Sequence, residues 1–251
     1  MIDVAADMTR VTLDVLERTI FSDGLSRDAE QFRIAMSTYF DAIGRIDVFD
    51  LFNIPDAMPR IGRLRVRPTL RFFEAAIDEI IATRRGRPAR HPAKNDILTL
   101  LLDALDPATG ERMTPAEVRS NILTFIAAGH ETTANSLSWS LFLLSQSPQW
   151  RDRVRAEADR EIGGPIEGLP ERLVVTRAVI EEAIRLYPPI AAISRVAIGA
   201  DELAGHPIKQ GSIIVISPYV LHRHRVLWDR PDVFDPGRFL GDASKSTHRF
   251  I

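Results

Sequence analysis

TPAEVRSNILTFIAAGHETTANSLSWSLFLLSQSPQW, residues 114–150, reads as one long helix, and its reading decides the fold. Thr114 offers a hydroxyl cap, Pro115 suits the first helical position, and Glu117 stands three residues after the cap to complete a capping box. Nothing breaks the pattern before Ser147 and Pro148. The expected helix therefore has about 32 residues and, at 1.5 Å rise, a length of about 48 Å, enough to cross a domain. Glu131 is the one formal charge after Arg119 in this stretch, but Ser, Thr, Asn and Gln are too frequent for a lipid-facing span. A helix enclosed by protein is expected, with no membrane segment.

The middle of that helix, AAGHETT at residues 127–133, puts a glycine, an acid and two hydroxyls within one and a half turns. Gly129 costs about 1 kcal/mol relative to alanine in a helix interior, and Thr132 can bend the ladder by bonding a carbonyl one turn back. Glu131 would set a proton-exchanging carboxyl beside any local opening. Two readings stand: a bend beside a ligand, or a kinked core helix whose Glu131 reaches solvent. A zinc-protease reading of His130-Glu131 fails because position 134 is Ala134, and a di-iron bundle fails because no Glu has His three residues later.

Outward from this helix, apolar spacing predicts helices over 4–21 with Gly24 as a stop, and over 31–49, 70–84 and 96–105. The basic run 84–94, with Gly86, Pro88 and Pro92, reads as a solvated interhelical loop. On the other side, Pro148 opens a helix to about 162, closed by Gly163, Gly164 and Pro165; another over 174–187 ends at Pro188 and Pro189. Beyond them, 191–198 and 212–217 read as strands, the second forming a hairpin with 206–209 across Gln210 and Gly211. Residues 218–251 read as a long ordered loop. The expectation is one domain over 1–251, helical over 1–187 and β and loop over 188–251, with no internal repeat.

Composition removes several function classes. The 251 residues are 45% hydrophobic and 26% charged, which fits a packed domain rather than disorder. A net charge of -2 gives no field for a polyanion, so no nucleic-acid partner is expected. The chain has no cysteine, which excludes disulfides, thiolate nucleophiles and Cys-ligated metals within it. MIDVAADMTR at residues 1–10 carries no apolar run, and a cytoplasmic location is expected.

Glu182 and Arg185 lie three apart on the helix before Pro188 and can pair on one face, which alone favours a solvated surface pair. The order of motifs changes that reading. AGHETT (128–133), EAIRLYPP (182–189), FDPGRF (234–239) and DMTRVTLDVLERTIF (7–21) together resemble the cytochrome P450 family, bacterial and fatty-acid-hydroxylase-like members in particular. The resemblance covers essentially the whole chain. It implies a mainly α fold with a small β region.

By that resemblance, Glu182, Arg185 and Arg238 form a buried Glu-Arg-Arg triad, and Arg195 in ISRVA binds a haem propionate. Ala128 and Gly129 leave room for oxygen at the haem, while Glu131 and Thr132 are the catalytic pair that handles protons for O–O cleavage. LHRHRVLW (221–228), with His222 and Trp228, resembles the family's His-Arg-x-Pro-x-x-Trp segment, though Arg225 stands where proline is usual. The implied activity is insertion of one oxygen atom from O2 into a small, apolar organic substrate, with heme b as cofactor and a ferredoxin or flavin reductase as electron donor. The family's cysteine loop is absent from the chain, and no residue here is a metal ligand. The expectation is an internal piece of a P450, truncated at both ends and inactive alone. The rival reading is a non-catalytic helical remnant or interaction protein without haem.

Overall fold

A computed structural model of the chain describes residues 2–22, 34, 38, 61–85 and 96–241. Apart from residues 34 and 38, the helix expected over 31–49 lies outside the described residues, as does most of the basic run 84–94. The chain divides into two compact units, residues 10–130 and residues 1–9 with 131–251.

In the first unit, helix α1 (Val4–Phe21) enters from residues 4–9 of the other unit and meets α2 (Ile61–Arg85), α3 (Ile97–Asp103) and the first half of α4 (Pro115–Gln146). Their shared core is Leu13, Ile20 and Phe21 of α1, Ile77 and Ile81 of α2, Leu98 of α3, and Val118, Ile122 and Ile126 of α4. The last three recur four residues apart, the spacing that keeps one helix face buried. The α4 start follows its local chemistry: Thr114 N and Oγ1 both donate to Glu117 Oε2 at 2.8 Å, and Glu117 N donates back to Thr114 Oγ1 at 3.3 Å. Helix α2 starts nine residues earlier than expected and contains Pro68. A proline removes one helical N–H bond, so local propensity alone places the start after it.

Asp96 ties this unit together. Its carboxylate accepts from Arg84 Nη1 and Nη2 at 3.0 and 2.9 Å, from Thr99 N and Oγ1, and from Ser22 Oγ. One buried acid thus caps α3 and holds the ends of α1 and α2. Burial pushes this carboxyl up, but the bonds from Arg84, Thr99 and Ser22 outweigh it and hold the pKa at about 2, against an ordinary 3.8.

The second unit contains the rest of α4, α5 (Pro148–Glu161), the short α6 (Leu169–Arg172), α7 (Val174–Leu186), four strands, a one-turn helix α8 (Pro218–Leu221) and a 3-10 turn (Pro236–Phe239). Glu157 of α5, buried, accepts from Val175 N, Thr176 N and Thr176 Oγ1, each at 2.8 Å, and so caps α7 from another helix. Ala178 of α7 packs with Trp228 and Phe239, and Ala183 and Leu186 pack with Leu143 of α4.

Strand β1 (Ile193–Val196) pairs antiparallel with β4 (Ile213–Ile216), Arg195 opposite Ile214. Between them, β2 (Asp201–Leu203) pairs with β3 (His206–Ile208). This corrects the expected hairpin of 206–209 with 212–217. The tight turn lies at Ala204 and Gly205, both left-handed at φ 50° and 81°, and β3 therefore folds back on the strand before it. Within 218–241, the described part of the expected loop, the regular elements are the one-turn α8 and the 3-10 turn. Among the described residues, no helix is long and apolar enough to cross a membrane.

Candidate functional site

Helix α7 places Glu182 and Arg185 on one face, and that face is buried rather than solvated: their side chains are 0% and 2% exposed. Arg185 Nε donates to Glu182 Oε2 at 2.7 Å and Nη2 donates to Oε1 at 2.8 Å, a bidentate pair. The remaining donors reach loop carbonyls: Nη1 to His222 O and Pro231 O, both at 2.7 Å, and Nη2 to Val233 O at 3.2 Å. One guanidinium therefore fastens residues 222–233 to α7. Its face also lies over the Trp228 ring, 5.0 Å from the centroid.

Arg238, on the 3-10 turn, joins the same cluster. Its Nε stands 3.5 Å from Glu182 Oε1, an ion-pair contact, and its Nη2 donates to Arg230 O at 2.9 Å. Asp235 N also donates to Glu182 Oε1, at 2.8 Å. Two arginines and a backbone N–H thus surround a fully buried carboxylate, the condition under which burying it becomes tolerable. Glu181 instead points to Arg177, 3.8 Å away.

The other site residues stand apart from this cluster. Arg195 is exposed on β1, and its Nη1 donates to the neighbouring Ser194 O at 2.8 Å, leaving the guanidinium accessible to an anion. Glu131 is exposed and Thr132 half-buried on α4, whose helix continues unbroken through both. Thr132 O accepts from Ser136 Oγ at 2.8 Å. Ala128 and Gly129 fall in the unit 10–130, Glu131 and Thr132 in the other. A Cβ built on Gly129 would meet Leu16 Cδ2 of α1 at 3.1 Å, so α1 packs closely against this position.

Sequence reasoning missed three features here. Glu157 has no local partner to reveal it, and the local cap from Asp96 to Thr99 does not reveal that Asp96 also binds Arg84 and Ser22. His222, read only as part of a motif, is 6% exposed, and neither of its ring nitrogens has a hydrogen-bond partner among the described residues. Burial pushes its pKa below the ordinary 6.5, and the nearby Arg185 and Arg223 charges add to this, against a hydrogen-bond contribution from Arg185. Among the described residues no group of His, Asp or Glu is arranged to hold a metal ion.

A mainly helical architecture, a long helix carrying Glu131 and Thr132, and a buried Glu-Arg-Arg cluster locking a loop define the class. The cytochrome P450 family model matches residues 1–251, and the chain belongs to that family. It is 34% identical over 252 residues to cyclooctat-9-en-7-ol 5-monooxygenase of Streptomyces melanosporofaciens, covering 99% of this chain and 54% of that protein. It is 30% identical over 256 residues to pentalenene oxygenase of Streptomyces avermitilis, covering 99% of this chain and 55% of that protein. The solved haem domain of cytochrome P450DA superposes with a TM-score of 0.82 at 29% identity, over 98% of this chain and 54% of that one. The chain thus spans about half the length of the relatives it matches.

Proposed function

We propose that the protein to which this chain corresponds is a haem-thiolate monooxygenase that inserts one oxygen atom from O2 into a small, apolar organic substrate. The observation that carries the reading is the fully enclosed Glu182 carboxylate, held by Arg185 and Arg238, in a chain of the P450 family. Two relatives named as a monooxygenase and an oxygenase support it. Family membership implies haem as the cofactor.

The residues present meet that group's needs only in part. Arg195 offers an accessible guanidinium for a propionate, but no cysteine exists in the chain to serve as axial thiolate. Bound haem supplies the oxidising chemistry, and no step through it follows from these residues. Their own contributions are separable. Glu182, Arg185 and Arg238 hold residues 222–238 against α7. Glu131, exposed, exchanges protons with solvent, and the Thr132 hydroxyl one position on holds water and passes them inward. Ala128 keeps its face of the helix free of bulk. The electron donor is a ferredoxin or a flavin reductase, and the location is the cytoplasm.

The test is to express the gene with its flanking sequence, purify the haem protein, reduce it and add carbon monoxide. The red-shifted absorption band of a cysteinate-ligated ferrous haem supports the reading. Its absence from a haem-loaded, folded full-length protein refutes it.

A further inference from the structure

Trp228, 5% exposed, lies within a shell made of the Arg185 guanidinium, the edge of His222 with ring centroids 6.2 Å apart, and Phe239 at 6.3 Å. The backbone carbonyl of His222 is one of the three that Arg185 holds. Its imidazole is thus built into the arginine hub, enclosed and without an acceptor among the described residues. Buried polar groups are nearly always hydrogen-bonded, and one that is not asks for an explanation.

We infer that His222 is an acid-sensitive latch: taking up a proton forces residues 222–233 to loosen from α7, exposing Trp228. The inference does not depend on haem, since every group in it belongs to this chain.

The charged surroundings all point the same way. From α7 the charge acting on the ring is Arg185, and from its own segment Arg223, whose guanidinium lies 3.9 Å from the Tyr219 ring centroid and 5.5 Å from that of Tyr187. His224, two residues on, accepts at Nδ1 from Val226 N. None of the region's carboxylates bonds the ring: Glu182 is engaged by Arg185, Arg238 and Asp235 N, Asp235 by Gly237 N and Arg230, and Asp229 by Arg230, while Asp232 is exposed on the segment. A protonated His222 would be a third cation beside two guanidinium groups, with no anion of its own. From the 3-10 turn, Phe239 lies against Trp228, and Arg238 is committed to Glu182 and Arg230 O. Opening the segment to water relieves the cost. The folded pKa is lowered, so the opened state binds the proton more readily, and the closed state loses stability as pH falls below the ordinary 6.5.

The test uses the full chain in a Trp139→Phe, Trp150→Phe background, where Trp228 is the one tryptophan left of three. Its emission is followed from about pH 8 to about pH 5, the range over which histidine changes charge. A red shift with a midpoint below 6.5, lost in His222→Leu and kept in His224→Leu, is the expected result. The same transition in His222→Leu overturns the inference. Should that variant fail to fold, proton NMR of the His222 ring in the wild-type chain decides: titration below 6.5 coincident with the Trp228 change supports the latch. Titration at or above that value, or apart from the Trp228 change, overturns it.

Discussion

Replacing Arg185 with alanine removes its side-chain ties from α7 to the carbonyls of residues 222, 231 and 233, and takes the bidentate partner from Glu182. What remains for the carboxylate is Asp235 N at 2.8 Å and the Arg238 contact at 3.5 Å. Breaking a buried pair by deleting one partner costs about 3 to 5 kcal/mol, and the stranded carbonyls place Arg185→Ala at the upper part of that range. All three tryptophans, Trp139, Trp150 and Trp228, lie in the unit that contains the pair, so urea unfolding followed by fluorescence reports on it directly. With a slope of about 2 to 3 kcal/mol per molar urea, the midpoint should fall by roughly 1.3 to 2.5 M. Adding Glu182→Leu to Arg185→Ala should recover part of the loss, because no charge is then left buried and unpaired. A single variant that loses less than about 1 kcal/mol, or a double variant no better than the single, would refute the argument that one buried ion pair organises this loop.

Three further outcomes are expected. Asp96, ordinarily 3.8 and held at about 2, contributes roughly 2 kcal/mol that is fully present above pH 3.8 and is lost as pH falls toward 2; Asp96→Asn should lose that amount at neutral pH and flatten the acid limb of a far-UV circular dichroism titration, and an unchanged limb would count against it. Glu157→Ala removes the cap on Val175 N and Thr176 N and should cost about 1 to 2 kcal/mol in urea melts, whereas wild-type stability would show that the cap contributes nothing. In the full-length haem protein, Thr132→Ala retains the carbonyl that Ser136 uses, so folding should hold while product formed per O2 consumed drops and peroxide rises; an unchanged ratio removes Thr132 from proton delivery.

Legibility in this chain follows sequence distance. The start of α4 could be read because its cap lies within Thr114 to Glu117, and the end of α7 because Pro188 and Pro189 follow just after its cap residue Tyr187. The hairpin could not. Gly205 and Gly211 are both left-handed at φ 81°, so two turn signals compete, and the one preceded by a left-handed Ala204 closes the β2–β3 hairpin. That residue type gives no warning of the conformation. Asp96 and Glu157 escaped notice for a different reason: their carboxylates bond partners as far as 74 and 19 residues away, and no local spacing marks either acid as buried.

Glu182 and Arg185 fall between these cases. Their spacing on α7 was visible, but an exposed pair three apart and a buried one look identical in sequence, and only the carbonyls of residues 222–233 decide which it is. The burial therefore depends on the loop, and the loop's place depends on the pair. That mutual dependence makes the cluster sensitive from both sides: deleting the arginine strands the acid, while charging His222 loads the hub with a further cation. If both perturbations expose Trp228, they act on one cooperative unit. Should acid release the loop in the wild-type chain while Arg185→Ala leaves Trp228 enclosed, the carbonyl ties would not be what holds the segment, and its apolar contacts with Ala178 and Phe239 would have to suffice.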